Sequence, residues 1–436
     1  MRNHLALMMC VVLVPLSLHS QGTRLLRGPA VSDKYVAFSY ANDLWIVDRT
    51  GGEARRLTSF PGTESDPHFS MDGRLVAFTG FYAGNRDVYV IEAKGGEPKR
   101  LTWHPAGDYV CDWLPDGKRI LIASNRASAP VGLPQFWTLP VDGGLPERVP
   151  IRSGLRASYS SDGKSLAYED VRWQAEWKWY RGGQAKPIRI VSFPDLNQTD
   201  VPGPVCVNTY PVFIGEKLYF LSDRTGTFNV FEYDKTANVV RQLTTYKDAD
   251  VKSVAAGGGI LVYEQGGNLH TLDPKSGADK ELTITVRGDF PWAMPQWKEV
   301  TKEIAAASLS PTGARALFEA RGEIFTVPAE KGDVRNLTHS PGAADRTPVW
   351  SPDGQKIAWF SDESGEYRLV ISDQDGLRPA KEIILEHPTF FFDLRWSPDS
   401  KQLALTDAGR NLLIVNTEKG TSRSIDTDRM AHPERT

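Results

Sequence analysis

The chain has 436 residues, with 51 Lys and Arg against 54 Asp and Glu, giving a net charge of −3. At about 150 residues per domain this is enough for roughly three domains, although large all-β domains exceed that size. The composition excludes a disordered, collagen-like or transmembrane-bundle chain, and a charge so near zero excludes a dedicated nucleic-acid binder, which needs a basic excess.

The first twenty residues read as a secretory signal peptide. Arg2 gives a positive start, Leu5 to Leu18 is apolar apart from Ser17, and Ser20 offers a small residue for cleavage. The run is too short to span a bilayer comfortably, and no later stretch reaches 18 apolar residues. The protein is therefore expected to be exported, periplasmic or extracellular, with no membrane association once residues 1–20 are removed. Of the three cysteines, Cys10 lies in this segment. Cys111 and Cys206 match no zinc or redox spacing and read as small buried hydrophobes.

From residue 35 a short apolar strand recurs nine times. The copies begin with Tyr35-Val36-Ala37-Phe38 and Leu75-Val76-Ala77-Phe78, and end with Ile357-Ala358-Trp359-Phe360 and Leu403-Ala404-Leu405. A second strand follows, as in Leu44-Trp45-Ile46-Val47, Val88-Tyr89-Val90-Ile91 and Ile324-Phe325-Thr326-Val327. A turn precedes the first strand, as in Ser70-Met71-Asp72-Gly73, Leu114-Pro115-Asp116-Gly117 and Ser351-Pro352-Asp353-Gly354. In such a turn Pro sets φ, Asp bonds the backbone two residues on, and Gly takes positive φ. A short basic strand ending in Leu-Thr closes many copies, as in Arg55-Arg56-Leu57-Thr58 and Lys99-Arg100-Leu101-Thr102. The spacing is 44 residues from Asp72 to Asp116 and 46 from both Asp116 to Asp162 and Asp353 to Asp399. A period of about 40–50 residues with four short strands is a β-propeller blade.

The second strands of successive copies start 39 residues apart from Val230 to Leu269, then 55 from Leu269 to Ile324. The extra length holds Asp289-Phe290-Pro291-Trp292-Ala293-Met294-Pro295-Gln296-Trp297, which reads as an ordered connection. The expected fold is all-β: a six-bladed propeller over 21–290, a linker over 291–300, three blades of an incomplete second propeller over 301–426, and an irregular tail over 427–436.

Catalytic signatures are sparse. G-x-S-x-G, HExxH, P-loop and GxGxxG motifs do not occur. The eight histidines, His4, His19, His68, His104, His270, His339, His387 and His432, are scattered, so no metal site and no cofactor are expected. One segment interrupts the fourth blade, Trp173-Gln174-Ala175-Glu176-Trp177-Lys178-Trp179-Tyr180-Arg181-Gly182-Gly183. Trp177, Lys178, Tyr180 and Arg181 are the candidate substrate-binding residues, through stacking and carboxylate pairing. The alternative is a loop that packs on its own blade or a neighbour.

Several stretches resemble the N-terminal half of tricorn-type serine proteases. They are Gly28-Pro29-Ala30-Val31-Ser32-Asp33-Lys34 running into Asp43-Leu44-Trp45, the fourth-blade Trp177-Lys178-Trp179-Tyr180-Arg181-Gly182-Gly183, and Tyr219-Phe220-Leu221-Ser222-Asp223-Arg224. Val262-Tyr263-Glu264-Gln265-Gly266-Gly267, and Phe318-Glu319-Ala320-Arg321-Gly322-Glu323 before Thr326-Val327-Pro328, belong to the same set. The resemblance covers residues 24 to 425. It implies a six-bladed and then a seven-bladed propeller that guide peptide substrates to catalytic and PDZ modules, and homo-oligomers of the full-length protein. No catalytic position of the family has a counterpart here, so the chain alone is expected not to hydrolyse peptides. In the third blade, Ala106-Gly107-Asp108-Tyr109-Val110 lacks the basic pair with which the archaeal enzyme holds a substrate C-terminus. Two rival readings are a stand-alone periplasmic binding propeller resembling that of the Tol system, and the propeller of a prolyl-oligopeptidase-like enzyme.

Overall fold

The structure is a computed structural model that describes residues 22–128, 132–170, 178–183, 185, 187–290, 294, 296–385, 387 and 389–428. Residues 1–20, read as a signal peptide, lie outside the described residues, as does Trp177. Among the described residues nine sheets follow one another along the chain, each built from four consecutive antiparallel strands, with a fifth strand added to the first sheet. The second blade shows the pattern, with strands Thr63–Phe69, Leu75–Phe81, Arg86–Glu92 and Lys99–Arg100. Beside the strands stands a single described 3-10 turn, Thr301–Glu303. Among the described residues no helix is long and apolar enough to cross a membrane.

Two local devices make each blade. In the turn after the inner strand, the serine hydroxyl donates to the aspartate at 2.6 Å in Ser70–Asp72, Ser160–Asp162, Ser351–Asp353 and Ser397–Asp399. The same carboxylate oxygen accepts the amide two residues on, at 3.0 Å from Arg74 and 2.9 Å from Lys164. The serine bond, then the amide bond, hold these carboxyls below their usual range. Gly73, Gly117, Gly163 and Gly354 take φ between 65° and 72°, where a Cβ is strained, and Ser400 accepts that strain at 58°. These aspartates are therefore turn residues.

The Leu-Thr strands carry the second device. Thr58, Thr102 and Thr244 each accept, on Oγ1, an amide near the start of the third strand, that of Leu44, Val88 or Val230, at 2.8 to 3.0 Å. The outer strand is only two residues long in the second blade, and this side-chain bond extends its hold on the sheet.

The chain divides into two compact units, up to residue 293 and from residue 294. In the first unit, six inner strands form a closed cycle: Arg27–Val31, Thr63–Phe69, Asp108–Trp113, Ala157–Tyr159, Asn208–Ile214 and Val251–Gly257, the last returning to the first. Alternate residues of each second strand serve opposite neighbours. Ala37 packs with Val76 and Phe78 of the second blade, whereas Val36 and Phe38 pack with Val262 and Leu269 of the sixth. Each such fully buried apolar side chain contributes about 1.5–3 kcal/mol.

Ring closure has an element that the blade repeat does not reveal. A strand beyond the sixth blade, Ile284–Val286, pairs in parallel with the outer strand of the first blade, Gly52–Arg56. The amide of Thr23 donates to the carbonyl of Ile284 at 2.7 Å, so both ends of the ring meet there. Phe290 packs on Tyr40 and Trp45, with centroids 5.8 and 6.1 Å away.

Buried acceptors also tie blade to blade. The inner strands are bulged, at Asp66 and Tyr210 with positive φ, and a bulge frees a backbone amide from its ladder. The second strand of the preceding blade takes up that amide. Thr79 accepts from Val110 at 3.0 Å, Glu169 from Tyr210 at 2.8 Å, and Glu319 from Thr347 at 2.7 Å. Glu264 accepts from Arg27 at 2.8 Å across the closing seam.

The second unit holds three blades, over 304–336, 346–383 and 391–427. The middle blade is enclosed on both faces: Ile357 and Trp359 meet Leu317 and Ile324 of the blade before, and Phe360, Leu369 and Ile371 meet Leu403 and Leu405 of the blade after. The last strand runs Thr421–Thr427, which corrects the reading of Thr427 as part of an irregular tail. Its register partner Asn411–Asn416 supplies the ladder that this polar residue does not advertise. Cys111 and Cys206 are buried and unbridged.

Candidate functional site

The inner strands converge on a pocket at the axis of the first propeller. All six blades line it: Val31, His68, Asp112, Ser158, Phe213 and Ala256 mark one position from each. Its volume is about 250 Å³. The sixth blade contributes bare backbone at Gly257, Gly258 and Gly259. A Cβ on Gly257 would stand 1.9 Å from the carbonyl oxygen of Val31, so only glycine lets that wall close on the first blade.

The polar groups of the pocket are few and fixed. Asp112 is half-buried, and its carboxylate accepts the amide of Trp113 at 2.8 Å. Ser158 and Tyr159 stand beside it, and the Ser158 hydroxyl accepts the Phe213 amide at 3.4 Å. Burial pushes its carboxyl above the usual range, opposed first by neighbouring His68 and then by the Ser158 hydroxyl. Burial in turn pushes the His68 imidazole below its usual range, against the pull of Asp112 and Asp66. His68 is fixed through its backbone, whose carbonyl accepts the Trp113 indole N–H at 2.9 Å. No Lys or Arg lines the pocket, which also carries Asp33 at its edge.

Neither Ser158 nor Cys111 at the pocket is set up as a nucleophile. A serine nucleophile must donate to its general base, but the Ser158 hydroxyl accepts the Phe213 amide at 3.4 Å, and among the described residues no hydrogen bond joins it to His68. The Cys111 thiol lies against the carbonyl of Leu155 at 3.2 Å, and burial drives its ionisation well above the usual value. It is inert as a nucleophile. Among the described residues no cluster of His, Cys, Asp and Glu could hold a metal ion.

The fourth-blade segment lies elsewhere. Its described residues do not line the axial pocket. Arg181 donates to the Asp223 carboxylate and to its backbone carbonyl, both at 2.9 Å. Asp223 is fully buried and also accepts the amides of Trp179 at 2.7 Å and Val207 at 3.0 Å. Lys178 pairs with Asp250 at 2.8 Å. The two cations thus clamp the loop onto the fifth blade and the connection after it. The Trp179 ring is 67% exposed and donates its N–H to the carbonyl of Gly226. The structure brings Lys178, Tyr180 and Arg181 together in one loop, with both charges already partnered.

His68, Asp112 and Ser158 were not singled out from the sequence. Their signal is positional: each stands one residue before the aromatic, Phe69, Trp113 or Tyr159, that leads into the Asp-Gly turn. Reading that column across the blades would have found the pocket.

Comparison with known proteins follows from this geometry. A family model described as the tricorn protease N-terminal beta propeller domain matches residues 23–278. The chain is similar to tricorn protease homolog 1 of Streptomyces coelicolor, 28% identical over 415 residues, 92% of this chain and 38% of that protein. It is similar to the tricorn protease homolog of Saccharolobus solfataricus, 24% identical over 408 residues, 91% of this chain and 36% of that protein. A crystal structure of the tricorn protease shares the fold with a TM-score of 0.61 at 19% identity, over 94% of this chain and 40% of that one. The chain therefore spans well under half the length of these relatives.

Proposed function

The chain belongs to the tricorn protease family through its N-terminal propeller, and on that premise we propose that it serves proteolysis by receiving peptides. The axial pocket of the first propeller is the receiving site, and the blades scaffold catalytic modules of the kind its relatives carry. The observation that carries this reading is the convergence of all six inner strands on one pocket with a fixed carboxylate and aromatic walls. A concave site with a few oriented polar groups among apolar ones is the usual form of a ligand site. Export through residues 1–20 places the protein where peptides from outside the cytoplasm would reach it, and mass spectrometry of the secreted chain's N-terminus tests that part.

The binding claim is tested with a fluorescent peptide pool of six to ten residues and the purified chain. Saturable binding is expected, and it should disappear in Ser158→Trp, where an indole fills the axis. Absence of binding, or binding indifferent to that substitution, would refute the reading.

A further inference from the structure

We propose that the axial pocket selects a cationic side chain, and arginine above all, at Asp112. This rests on the reading of the pocket as a peptide site and adds the chemistry that it recognises. Three features of the pocket converge on it.

The first is an imbalance of charge. Asp112 and Asp33 line the pocket, and no Lys or Arg does. The other titratable groups at the wall are His68, Cys111 and Tyr159, and burial shifts each of them toward its neutral form. Asp33 is largely in water and has Arg49 at 3.9 Å. Asp112 has no Lys or Arg partner among the described residues, and its carboxylate accepts the Trp113 amide. Elsewhere in this unit several buried carboxylates are paired with arginine, among them Asp108 with Arg126 at 2.6 Å, Asp87 with Arg100 at 2.7 Å, and Glu169 with Arg156 at 3.2 Å. The axial carboxylate has no such pair.

The second is the orientation of that carboxylate. The amide of Trp113 holds it at 2.8 Å, with Ser158 and Tyr159 beside it, before any ligand arrives. A ligand cation meets a preorganised acceptor and does not have to order it.

The third is the wall. Phe69, Tyr159 and Phe213 come from three different blades and are each half-buried at the pocket. A guanidinium is planar, weakly hydrated and stacks on aromatic faces while its fork meets a carboxylate, which a lysine ammonium does less well. The protein uses that combination within itself, where Arg156 lies 4.2 Å from the Tyr210 ring centroid and also pairs with Glu169.

The probe is the N-acetyl, C-amidated tripeptide Ala-Arg-Ala, compared with its citrulline counterpart, which keeps the shape and loses the charge. Calorimetric titration of the purified chain should show the arginine peptide binding at least tenfold tighter than the citrulline peptide, with the lysine peptide between them. Asp112→Asn keeps an oxygen for the Trp113 amide and removes the charge, so it should erase the preference while leaving the melting profile intact. If that variant does not fold, salt reports the same term: raising it from low to high should weaken the arginine peptide and spare the citrulline one. Equal affinity for the two peptides, or an arginine preference that survives Asp112→Asn, overturns the proposal and leaves the general peptide site standing. No binding of any peptide overturns both.

Discussion

Glu169 offers the sharpest test of how the blades hold one another. Its side chain is buried to 1% exposure inside the first propeller. One oxygen, Oε1, accepts the Thr209 hydroxyl at 2.5 Å and the Tyr210 amide at 2.8 Å, while Arg156 approaches Oε2 at 3.2 Å. Glu169→Ala leaves the Tyr210 amide buried without an acceptor, at about 1–3 kcal/mol. The Thr209 hydroxyl loses its partner for about 1 kcal/mol more. The Arg156 side chain is 33% exposed, so water takes over part of that loss and its share is small. The expected total is about 2–4 kcal/mol, overlapping the range for breaking a buried pair by deleting one member. Glu169→Gln keeps an oxygen at the Oε1 position and should cost about 1 kcal/mol. Urea unfolding with unchanged m-values gives the stability difference, and hydrogen exchange at Tyr210 localises it. A loss below 1 kcal/mol for the alanine variant, or unaltered protection of Tyr210, would show that the acceptor is incidental to blade packing.

Two further outcomes follow from the same packing. Leu369 and Leu412 start the same stretch of the third strand in the eighth and ninth blades, but Leu369 is fully buried and Leu412 is 38% exposed. Leu369→Ala should cost about 2–5 kcal/mol and Leu412→Ala less than about 1 kcal/mol, measured by urea unfolding; equal costs would mean that the outer face of the ninth blade is covered in solution. Glu64 is buried, and burial pushes its carboxyl up to about 7 from 4.5. A carboxyl raised in the folded state favours folding at low pH, and the advantage disappears as pH rises from 4.5 through 7. Glu64→Gln should therefore gain about 2–3 kcal/mol over the parent at pH 8 and nothing at pH 4, read from paired melts; a gain that is equal at both pH values refutes the burial account.

The fourth-blade segment shows where residue type misleads. Aromatics beside cations suggest a ligand surface, and Lys178 and Arg181 have the chemistry for one. Their partners, Asp250 and Asp223, are more than forty residues away. Nothing local to the segment says that the charges are already committed. Asp112 is the converse case. Its sequence neighbours are ordinary, and its importance arises because five other strands bring their own residues to the same axis.

The sequence alone determined the blade and its count. The Asp-Gly turn, the strand pairs and the Leu-Thr closure are bonds between residues within a few positions of one another or at a fixed short offset, so a linear pattern records them. The 51 basic and 54 acidic residues excluded whole classes of function on the same terms. Only the tertiary structure decided the closing strand Ile284–Val286, the clamps at Glu169 and Glu264, and the contents of the pocket. Each joins residues from separate blades, up to 237 positions apart at Arg27 and Glu264. Such contacts are chosen by the curvature and register of a closed ring, and no short stretch of chain contains that information.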